Sequence, residues 1–564
     1  MIQHRFCLLS VSLVWALLAS IVAAAENAHY DEVFDENGKP RNGYAEILPH
    51  YQSMSEQDKK NFTIMTKRDF SGDNALDPLP RLLSETEYDS LKKGVEQRGT
   101  ALRLFLRDYF AGNKMEWQKI IPPEVLDRIV ARSQDAAWQS LVNPDSIAFP
   151  YGPDIIRDAG GGWRVVEDNP GYIGGPGDLI KARETLLKRM PQYQEALQAV
   201  NQPKKYYEDL MARYRSLAKP LGGRVVLYSV PPYPDKEDSR LKKILHEQGV
   251  DLVSPWSQKK LEIDKEGAAW VLQEGKRERV GFLILNGEHH FINPSFPAAQ
   301  ERAAVEEAKA HLEEKHLNPR ARAALSVALQ ADPHTGKVDL QKVKAAILLS
   351  PIDNNLPLQK KFQAKGLNEA ILRGTVASNY SPGLDFIGDK EFYVYVDDLV
   401  RHYLKEEPIL RNIPTERFGV KNAAGKISAD ESLLQRVFAD PKKYVIKAVD
   451  GRGGSAVWVG AKIPAEKFLA VKDRILQEPE RFIVQEYMPL STVGDKIVDL
   501  RMISAVDSKG VLVSGTPWGR ALPINGDGKV NISSQGREMT VMVVKNPTAE
   551  RKTCIAFFRK LFAH

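Results

Sequence analysis

The pattern of apolar and polar residues changes along the chain, and its first part differs from the rest. After Arg5, residues 6–25 form an apolar run that ends in alanines and is followed by the polar segment ENAHYDE. A basic residue, an apolar stretch and small residues are the three parts of a secretory signal peptide. We predict cleavage after Ala25, with Ala23 at position minus three. The alternative is an uncleaved anchor, because this run is about the ~20 residues that a bilayer core requires.

Residues 26–219 are predicted to be mainly helical. The segments YDSLKKGVEQRGTALRLFLRDYF and DLIKARETLLKRM carry apolar residues at helical spacing. The segment between them, RDAGGGWRVVEDNPGYIGGPGD, does not have a helical pattern. In it, a glycine-rich turn precedes the short strand WRVVE. A Gly/Pro loop that no regular element tolerates follows this strand.

Residues 220–388 are predicted to form an α/β domain with parallel strands. GGRVVLYSV, SRLKKILHEQG and VDLVSP are typical of a strand, a helix and a strand. The strands GFLILNG and KAAILLSP extend this Rossmann-like domain, with an inserted helix and turn between them.

Residues 389–564 are predicted to form a second α/β unit. The predicted elements are, in chain order, the helix EFYVYVDDLVRHYLKEE, a strand pair around YVIKAVDGRGGSAVWVG, the helix AEKFLAVKDRILQEP, and the strands RFIVQEYM, VDLRMISAV and VLVSGTP. The chain is thus predicted to divide into residues 1–25, 26–219, 220–388 and 389–564. Its length allows about three or four domains.

Composition narrows the class of protein. With 43% hydrophobic and 27% charged residues among 564, the chain is an ordinary globular protein. Its two cysteines exclude a disulfide framework and a thiolate zinc site. The net charge of +6 comes without a Lys/Arg-rich block, which argues against nucleic-acid binding. Beyond residue 25 the sequence has no apolar run of spanning length, so we expect no membrane association beyond an N-terminal anchor.

The first candidate site is a glycine-rich hairpin after a strand that carries Lys447. Its turn consists of Asp450, Gly451, Arg452, Gly453 and Gly454. Glycines let backbone N–H groups approach phosphate oxygens, and the basic side chains add positive charge. The alternative is a tight hairpin with surface charges. It is not a P-loop, because no Lys-Ser/Thr pair follows the glycines at the start of a helix.

The second candidate site combines Asp154, Glu167 and Asn169. Residues two apart on a strand face the same side, and Asp154 could lie on an antiparallel neighbour across the glycine turn 160–162. Two carboxylates and an amide oxygen are ligands suited to Mg²⁺ that also contacts nucleotide phosphates. Surface acids on a hairpin are the alternative. We interpret Asp158 and Asp168 as turn residues.

The third candidate site contains two arginines near the C-terminus. Asp499 and Arg501 share a strand face, and Arg520 and Asn531 follow on later strands. Arginines that project from a sheet towards a triphosphate can neutralise charge during phosphoryl transfer. The alternative is a pair of surface salt bridges.

Taken together, these segments resemble the circularly permuted ATP-grasp family from about Tyr30 to Gln535. The matching segments are YDEVFDENGKPR, VVEDNPGYIGGPG, GDKEFYVYVDDLVRHYLKEEPILRNIPT, YVIKAVDGRGGSAVWVG, RFIVQEYMPLST, VDLRMISAV and VNISSQG. The acidic-x-Asn metal strand here precedes the nucleotide-binding strands, as the permutation requires. The resemblance implies a permuted ATP-grasp fold with a helical N-terminal region and a Rossmann-like domain before the ATP-binding lobe.

The resemblance also implies roles for individual residues. Lys390 and Lys447 would approach the ATP phosphates, and Gly453 with Gly454 would form the tip of the phosphate-covering loop. The hinge that meets the adenine edge would be Gln485, Glu486, Tyr487 and Met488. Asp154, Glu167 and Asn169 are similar to the magnesium ligands of glutathionylspermidine synthase. Arg501 would face the transferred phosphoryl group, while Arg520, Asn531 and Ser533 match the C-terminal pattern without separate roles.

Family members resemble carboxylate–amine ligases that use ATP and Mg²⁺ and form an acyl phosphate. The implied partners are small-molecule or peptide acids and amines, and nothing indicates an oligomeric state. The alternative is an exported ATP-grasp-like protein that binds nucleotide without turnover. Two departures favour it: the C-terminal segment runs SSQGREMTVMVV, and Ser455 and Ala456 stand where a glycine is more usual. Export to the periplasm or the exterior also separates the protein from cytosolic ATP.

Overall fold

The structure is a computed structural model. It describes residues 29–69, 75–133, 141–171, 173–197, 199–228, 236–254, 258–285, 309, 312, 319–330, 338, 342–343, 364–421, 425–449, 456–530 and 536–545. The signal-like run, the predicted strand KAAILLSP, the hairpin tip 450–454, and Asn531 with Ser533 therefore lie outside the described residues. No helix within the described ranges is both long and apolar enough to span a bilayer.

The strands are, in chain order, β1 (Arg81–Ser84), β2 (Phe149–Tyr151), β3 (Asp154–Arg157), β4 (Trp163–Glu167), β5 (Arg224–Tyr228), β6 (Asp251–Val253), β7 (Lys260–Ile263), β8 (Ala269–Gln273), β9 (Lys276–Leu285), β10 (Ala377–Ser378), β11 (Arg411–Asn412), β12 (Thr415–Arg417), β13 (Gly419–Lys421), β14 (Ile427–Ala429), β15 (Tyr444–Ala448), β16 (Val457–Val459), β17 (Phe482–Glu486), β18 (Thr492–Val493), β19 (Lys496–Arg501), β20 (Ser504–Asp507), β21 (Gly510–Val513), β22 (Trp518–Pro523) and β23 (Arg537–Val544).

The α-helices are α1 (Tyr44–Gln52), α2 (Glu56–Asp69), α3 (Glu85–Phe110), α4 (Lys114–Trp117), α5 (Pro123–Ser133), α6 (Leu179–Arg189), α7 (Gln192–Ala196), α8 (Pro203–Ala218), α9 (Lys236–Glu247), α10 (Pro319–Ala328), α11 (Leu367–Arg373), α12 (Leu384–Ile387), α13 (Lys390–Tyr393), α14 (Val396–Leu404), α15 (Glu431–Ala439), α16 (Ala465–Leu469) and α17 (Val471–Gln477).

Three sheets carry most of the architecture. The eight-stranded sheet has the order β1-β23-β22-β19-β3-β4-β11, with β18 paired to β19. The four-stranded sheet has the order β12-β17-β15-β16, and the six-stranded sheet has the order β6-β5-β9-β8-β7, with β10 paired to β9. In sequence, β4 precedes β15 by about three hundred residues, yet β11 on the edge of the large sheet leads within three residues into β12 of the four-stranded sheet. This connection sets the two sheets side by side.

The long helix α3 packs against the large sheet. Its start is defined by a capping box, in which the Ser84 side chain accepts from the Glu87 backbone N–H and the Glu87 side chain accepts from the Ser84 N–H. Apolar residues at helical spacing, including Leu91, Val95 and Leu102, are fully buried in the main core cluster. The helix is thereby fixed both at its first turn and along one face.

Local patterns predicted several elements correctly. Both helical segments near the N-terminus form, as α3 and α6, and β5 and β6 pair in parallel. The sequence pattern missed the antiparallel strands β7 and β8. The segment that was predicted as one helix, EFYVYVDDLVRHYLKEE, forms two helices, α13 and α14. It is interrupted because the Tyr393 carbonyl accepts the Asn412 side-chain amide at 2.7 Å.

The segment VDLRMISAV also differs from its prediction as a single strand. It divides into β19 in the large sheet and β20 in a small sheet with β2 and β21. The crossing residues Met502 and Ile503 are buried, and the Met502 N–H donates to the Pro153 carbonyl at 3.4 Å. The segment has no glycine or proline between the two strands, so no local signal in the sequence marks the break.

Candidate functional site

A β-hairpin places the two predicted metal-binding carboxylates opposite each other. β3 and β4 are antiparallel, and Asp154 is the register partner of Glu167, as the sequence predicted. The side chain of Asp158 accepts from the N–H groups of Gly160 and Gly162 at 3.1 and 2.8 Å, which closes the turn. Asp158 is therefore the turn residue that was predicted. Asn169 follows the end of β4, and its carbonyl accepts the Gly152 N–H at 2.9 Å.

The carboxylate of Asp154 is held by two arginines from neighbouring strands. Arg501 donates to both of its oxygens at 2.8 and 3.1 Å, and Arg520 Nη2 lies 3.0 Å from Oδ2. Burial acts to raise the pKa of Asp154, but Arg501 and Arg520 outweigh burial and hold that pKa below its usual range. The group is therefore an anion at neutral pH.

The same two arginines complete a buried network with Asp499. Arg520 donates to both Asp499 oxygens at 3.0 and 2.6 Å. Burial raises the pKa of Asp499 to about 6, although Arg520 acts to lower it. The Trp518 ring lies 5.5 and 5.3 Å from the guanidinium carbons of Arg501 and Arg520. These ion pairs are thus buried and not the surface salt bridges that were the alternative.

Lys447 reaches the end of β4 from the four-stranded sheet. Its Nζ donates to the Val166 carbonyl at 3.3 Å, and Gln485 Nε2 donates to the same oxygen at 3.2 Å. Burial lowers the pKa of Lys447 to about 8; Glu167 acts to raise it, and the charge of Lys390 to lower it. A buried lysine beside another cation is positioned to meet an anion.

Lys390 approaches the same strand end from α13. Its Nζ lies 3.5 Å from Glu167 Oε2, and its backbone N–H donates to the Val449 carbonyl at 3.1 Å. Two lysines from different elements therefore converge on the end of β4, and their binding of ATP phosphates stays a prediction.

The acidic neighbours of Lys390 were missed at the sequence level. Arg132 of α5 donates to Asp389 at 2.9 and 3.1 Å and to Glu391 at 2.8 Å, and Arg128 donates to Glu391. These bonds anchor the first turn of α13 and hold Lys390 over the site. The alternation of acid and base in GDKEF is the pattern that could have indicated such an anchor.

Asp168 is not the turn residue that the sequence suggested. Its side chain is buried and accepts Arg98 Nε and Nη2, both at 2.8 Å, and the Tyr151 hydroxyl at 2.6 Å. Asp168 lies just beyond β4, and its side chain contacts Arg98 and Tyr151, whereas the Glu167 side chain lies near Lys390. The sequence interpretation failed since the partner, Arg98, lies on a distant helix.

The predicted hinge begins with Gln485 and Glu486, the last two residues of β17, and continues into Tyr487 and Met488. The Glu486 N–H donates to the Pro414 carbonyl at 3.0 Å, and the Tyr487 N–H donates to the Lys443 carbonyl at 2.7 Å. The Glu486 side chain is exposed, whereas Gln485 is buried. Contacts between the hinge, which also includes Met488, and an adenine ring stay a prediction, as do phosphate contacts of residues 450–454 and Asn531.

The donor set fits magnesium by its chemistry. Asp154 and Glu167 supply hard carboxylate oxygens, and Asn169 supplies an amide oxygen. Asp154 Oδ1 accepts one hydrogen bond and keeps a lone pair. Within the described ranges no cluster of three His, Cys, Asp or Glu side chains is arranged to hold a metal. A magnesium site here would therefore depend on the amide and on the ligand's own oxygens.

Comparison with known proteins identifies the family. The sequence profile of the circularly permuted ATP-grasp type 2 family matches residues 80–307 and 352–515, which is most of the chain. The protein therefore belongs to this family, and its mixed α/β fold is a circularly permuted ATP-grasp fold.

Individual relatives are distant. A Frankia alni protein provisionally named glutamate–cysteine ligase 2-3 is 25% identical over 82% of this chain, which spans only 47% of that protein. An uncharacterised protein of Synechocystis sp. is 23% identical over 84% of this chain and 88% of its own. A solved structure of a glutathione synthetase-like effector from Globodera pallida, in its apo form, aligns with a TM-score of 0.46 at 9% identity, covering 86% of this chain and 96% of the effector.

Proposed function

We propose that this protein is an exported carboxylate–amine ligase that uses ATP and Mg²⁺. The observation that carries the proposal is the convergence of Lys390 and Lys447 on the Glu167 end of β4. Two lysines placed together are costly unless they bind an anion, and a triphosphate beside two carboxylates supplies that need. The family, together with relatives named as glutamate–cysteine ligases, supports a ligase-type reaction.

The reaction would transfer the terminal phosphoryl group of ATP to a substrate carboxylate, which gives ADP and an acyl phosphate. An amine would then attack the acyl carbon and release phosphate. Such chemistry needs positioning and charge neutralisation more than a protein nucleophile. Lys390 and Lys447 would hold the phosphates, and Arg501 with Arg520 would face the transferred group. Bound Mg²⁺, held by Asp154, Glu167 and Asn169, would neutralise phosphate charge.

A second candidate function is nucleotide binding without turnover. Arg501 and Arg520 use several of their N–H groups to bind Asp154 and Asp499. Arginines that stay committed to these carboxylates would not reach a transferred phosphoryl group.

We expect MgATP to raise the melting temperature of residues 26–564. A ligand that binds only the native state stabilises it, by about 2.7 kcal/mol at a concentration one hundred times its dissociation constant. Glu167→Ala should weaken this shift. The matched control is Glu184→Ala, because Glu184 is exposed and pairs with exposed Lys204 at 3.6 Å. A wild-type protein without a shift would remove the basis of the ligase proposal, and an unchanged shift in Glu167→Ala would refute the site assignment.

Turnover would be separated from binding by a screen for ATP-dependent phosphate release. The acids should include glutamate and the amines should include cysteine, as the relatives' name suggests. Release that requires both an acid and an amine supports the ligase. A full MgATP shift together with no release for any pair supports the second candidate.

Export is tested on protein from its natural source. We expect the mature chain to begin at Glu26 and to be found outside the cytosol, because the apolar run 6–25 ends in small residues. N-terminal sequencing of the fractionated protein measures both properties. A chain that begins at Met1 in the cytosolic fraction would contradict export, whereas Met1 in the membrane fraction would indicate the anchor.

A further inference from the structure

Arg98 of α3 is a fully buried arginine that uses all five of its N–H groups. It is 1% exposed. Its five acceptors are Asp168 Oδ1 at 2.8 Å, Asp168 Oδ2 at 2.8 Å, Asn412 Oδ1 at 2.5 Å, Asp397 Oδ1 at 3.1 Å and the Leu410 carbonyl at 3.4 Å. An arginine has five donors in a planar fork, so this guanidinium is saturated. Its position is therefore determined from several sides at once.

On one side, the Arg98 guanidinium contacts the end of the β3–β4 hairpin that carries the candidate metal ligands. Asp168 stands between Glu167 and Asn169, and its side chain contacts Arg98 and Tyr151, whereas that of Glu167 lies near Lys390. Two hydrogen bonds from Arg98 and one from the Tyr151 hydroxyl at 2.6 Å fix the position of the Asp168 carboxylate. The orientation of its two neighbours follows from this, since three consecutive residues share one backbone.

On its other side, the Arg98 guanidinium contacts residues 410–414. These residues connect the large sheet to the four-stranded sheet, and we term them the linker. Asn412 pairs with Val165 of β4, and two residues later the Pro414 carbonyl accepts the hinge N–H of Glu486 at 3.0 Å. Gly94, one helical turn before Arg98, permits the close approach of the linker. A Cβ there would lie 2.4 Å from Leu410 Cγ. Arg98 thus contacts both the metal-binding strand end and the linker.

We propose that Arg98 is a positioning residue that sets the distance between the Glu167 end of β4 and the nucleotide-binding hinge. It touches neither ATP nor metal and acts through Asp168 and Asn412. The identity of the ligand rests on the proposed function, whereas the mechanical coupling of the two segments does not. Asp397, which accepts from both Arg98 and the Asn412 N–H, stiffens the linker side of this connection.

The decisive variant is Arg98→Lys, which keeps the charge and removes the fork. A lysine has three donors on one atom and cannot bridge Asp168, Asn412 and Leu410 together. The matched control is Arg103→Lys on the same helix. Arg103 donates to the carbonyls of Ile147 and Asp145 at 3.0 and 3.1 Å, away from the site.

Two backbone amides report on the two segments without any ligand. The Gly152 N–H, bonded to the Asn169 carbonyl, reports on the strand end, and the Glu486 N–H, bonded to the Pro414 carbonyl, reports on the linker. We expect Arg98→Lys to raise hydrogen exchange at both amides and to leave the core of α3 protected. With ATP present, the Mg²⁺ concentration for half-maximal binding should rise about tenfold or more, which is about 1.4 kcal/mol.

A double-mutant cycle tests the connection itself. Asp168→Asn and Asn412→Ala each alter an acceptor of Arg98; Asp168 also accepts from the Tyr151 hydroxyl, and Asn412 also donates to the Tyr393 carbonyl. Effects on residues without shared partners usually add, so non-additive exchange at Gly152 and Glu486 would support transmission through Arg98. We expect this non-additivity to vanish in an Arg98→Met background.

The outcomes separate this inference from the proposed function. If wild-type protein binds no MgATP, the ligase proposal fails, and the exchange data still decide the role of Arg98. Exchange in Arg98→Lys that matches Arg103→Lys would overturn the inference, as would a uniform rise at all amides. If Arg98→Lys does not fold, the Asp168 and Asn412 cycle decides, and strict additivity would refute the coupling.

Discussion

Replacing Lys447 by methionine is expected to abolish the MgATP-dependent rise in melting temperature while leaving the ligand-free fold intact. Methionine fills a similar volume and carries no charge. In the free protein, burial lowers the pKa of Lys447 from 10.5 to about 8, so its charge disfavours the native state. The charged form of Lys447 lowers the free energy of unfolding by an amount on the order of 3 kcal/mol. Its removal should preserve or raise the ligand-free melting temperature, in contrast to most core substitutions.

Thermal denaturation with and without MgATP measures both effects. Lys462→Met in the same lobe is the matched control, because Lys462 donates to the Ile524 carbonyl at 3.1 Å in an exposed position. A Lys447→Met protein that keeps the wild-type shift would show that the phosphates bind elsewhere.

The same lysine should make MgATP binding depend on pH. Phosphates favour its protonated form, so binding should weaken as pH rises above about 8. The ligand-free protein should respond in the opposite direction. Between about pH 8 and 10.5 the unfolded chain binds more protons at this position, and this contribution to stability therefore rises with pH. The charges of Glu167, Asp154 and Lys390 also influence the pKa of Lys447. The pH dependence of the wild-type protein is therefore compared with that of Lys447→Met, in which both trends should disappear.

Glu32→Gln is expected to lower the free energy of unfolding by about 3–5 kcal/mol, because it would leave buried positive charge without its partner. Glu32 lies between Arg81, whose side chain is 0% exposed, and Arg157, at 3%. It pairs with Arg157 Nη1 at 3.1 Å and with Arg81 Nη2. Among the described residues, Nε and Nη1 of Arg81 have no hydrogen-bond partner and Nη2 also donates to Ser491 Oγ at 3.3 Å, so little remains to compensate that charge.

The effect of Glu32 should extend to the candidate site. The Glu32 N–H donates to the Thr492 carbonyl at 2.9 Å, and the Thr492 N–H donates to the Tyr30 carbonyl at 2.8 Å. Thr492 belongs to β18, which pairs with β19, the strand that carries Asp499 and Arg501. The N-terminal segment from residue 29 onward is therefore part of the sheet that supports the arginines.

Denaturation by urea measures the loss of stability and is followed at several probes, because a chain of 564 residues need not unfold in one step. Glu36→Gln is the control, since Glu36 is 81% exposed and lies 3.8 Å from Arg41. Such a surface pair contributes about 0–1 kcal/mol. Equal effects of the two substitutions would contradict the importance of the buried cluster.

The candidate site shows how far sequence reasoning reaches. The glycine turn and the strand WRVVE were enough to suggest that Asp154 could lie on an antiparallel neighbour, because a hairpin is specified by adjacent residues, and the structure pairs Asp154 with Glu167. The same reasoning misjudged Asp168. Its neighbours resemble a turn, whereas its environment is made by Arg98, 70 residues earlier in the chain.

The sequence by itself determined many of the helices and strands, the permuted family and the candidate residue types for binding ATP and Mg²⁺. These follow from periodicity, turn residues and motif order, which are properties of short segments. Only the tertiary structure decided which charges meet. Arg501 and Asp154 are 347 residues apart, and Lys447 and Val166 are 281 apart. Such contacts depend on which strands pair in the sheets, and strand pairing is a property of the whole fold that no local pattern contains.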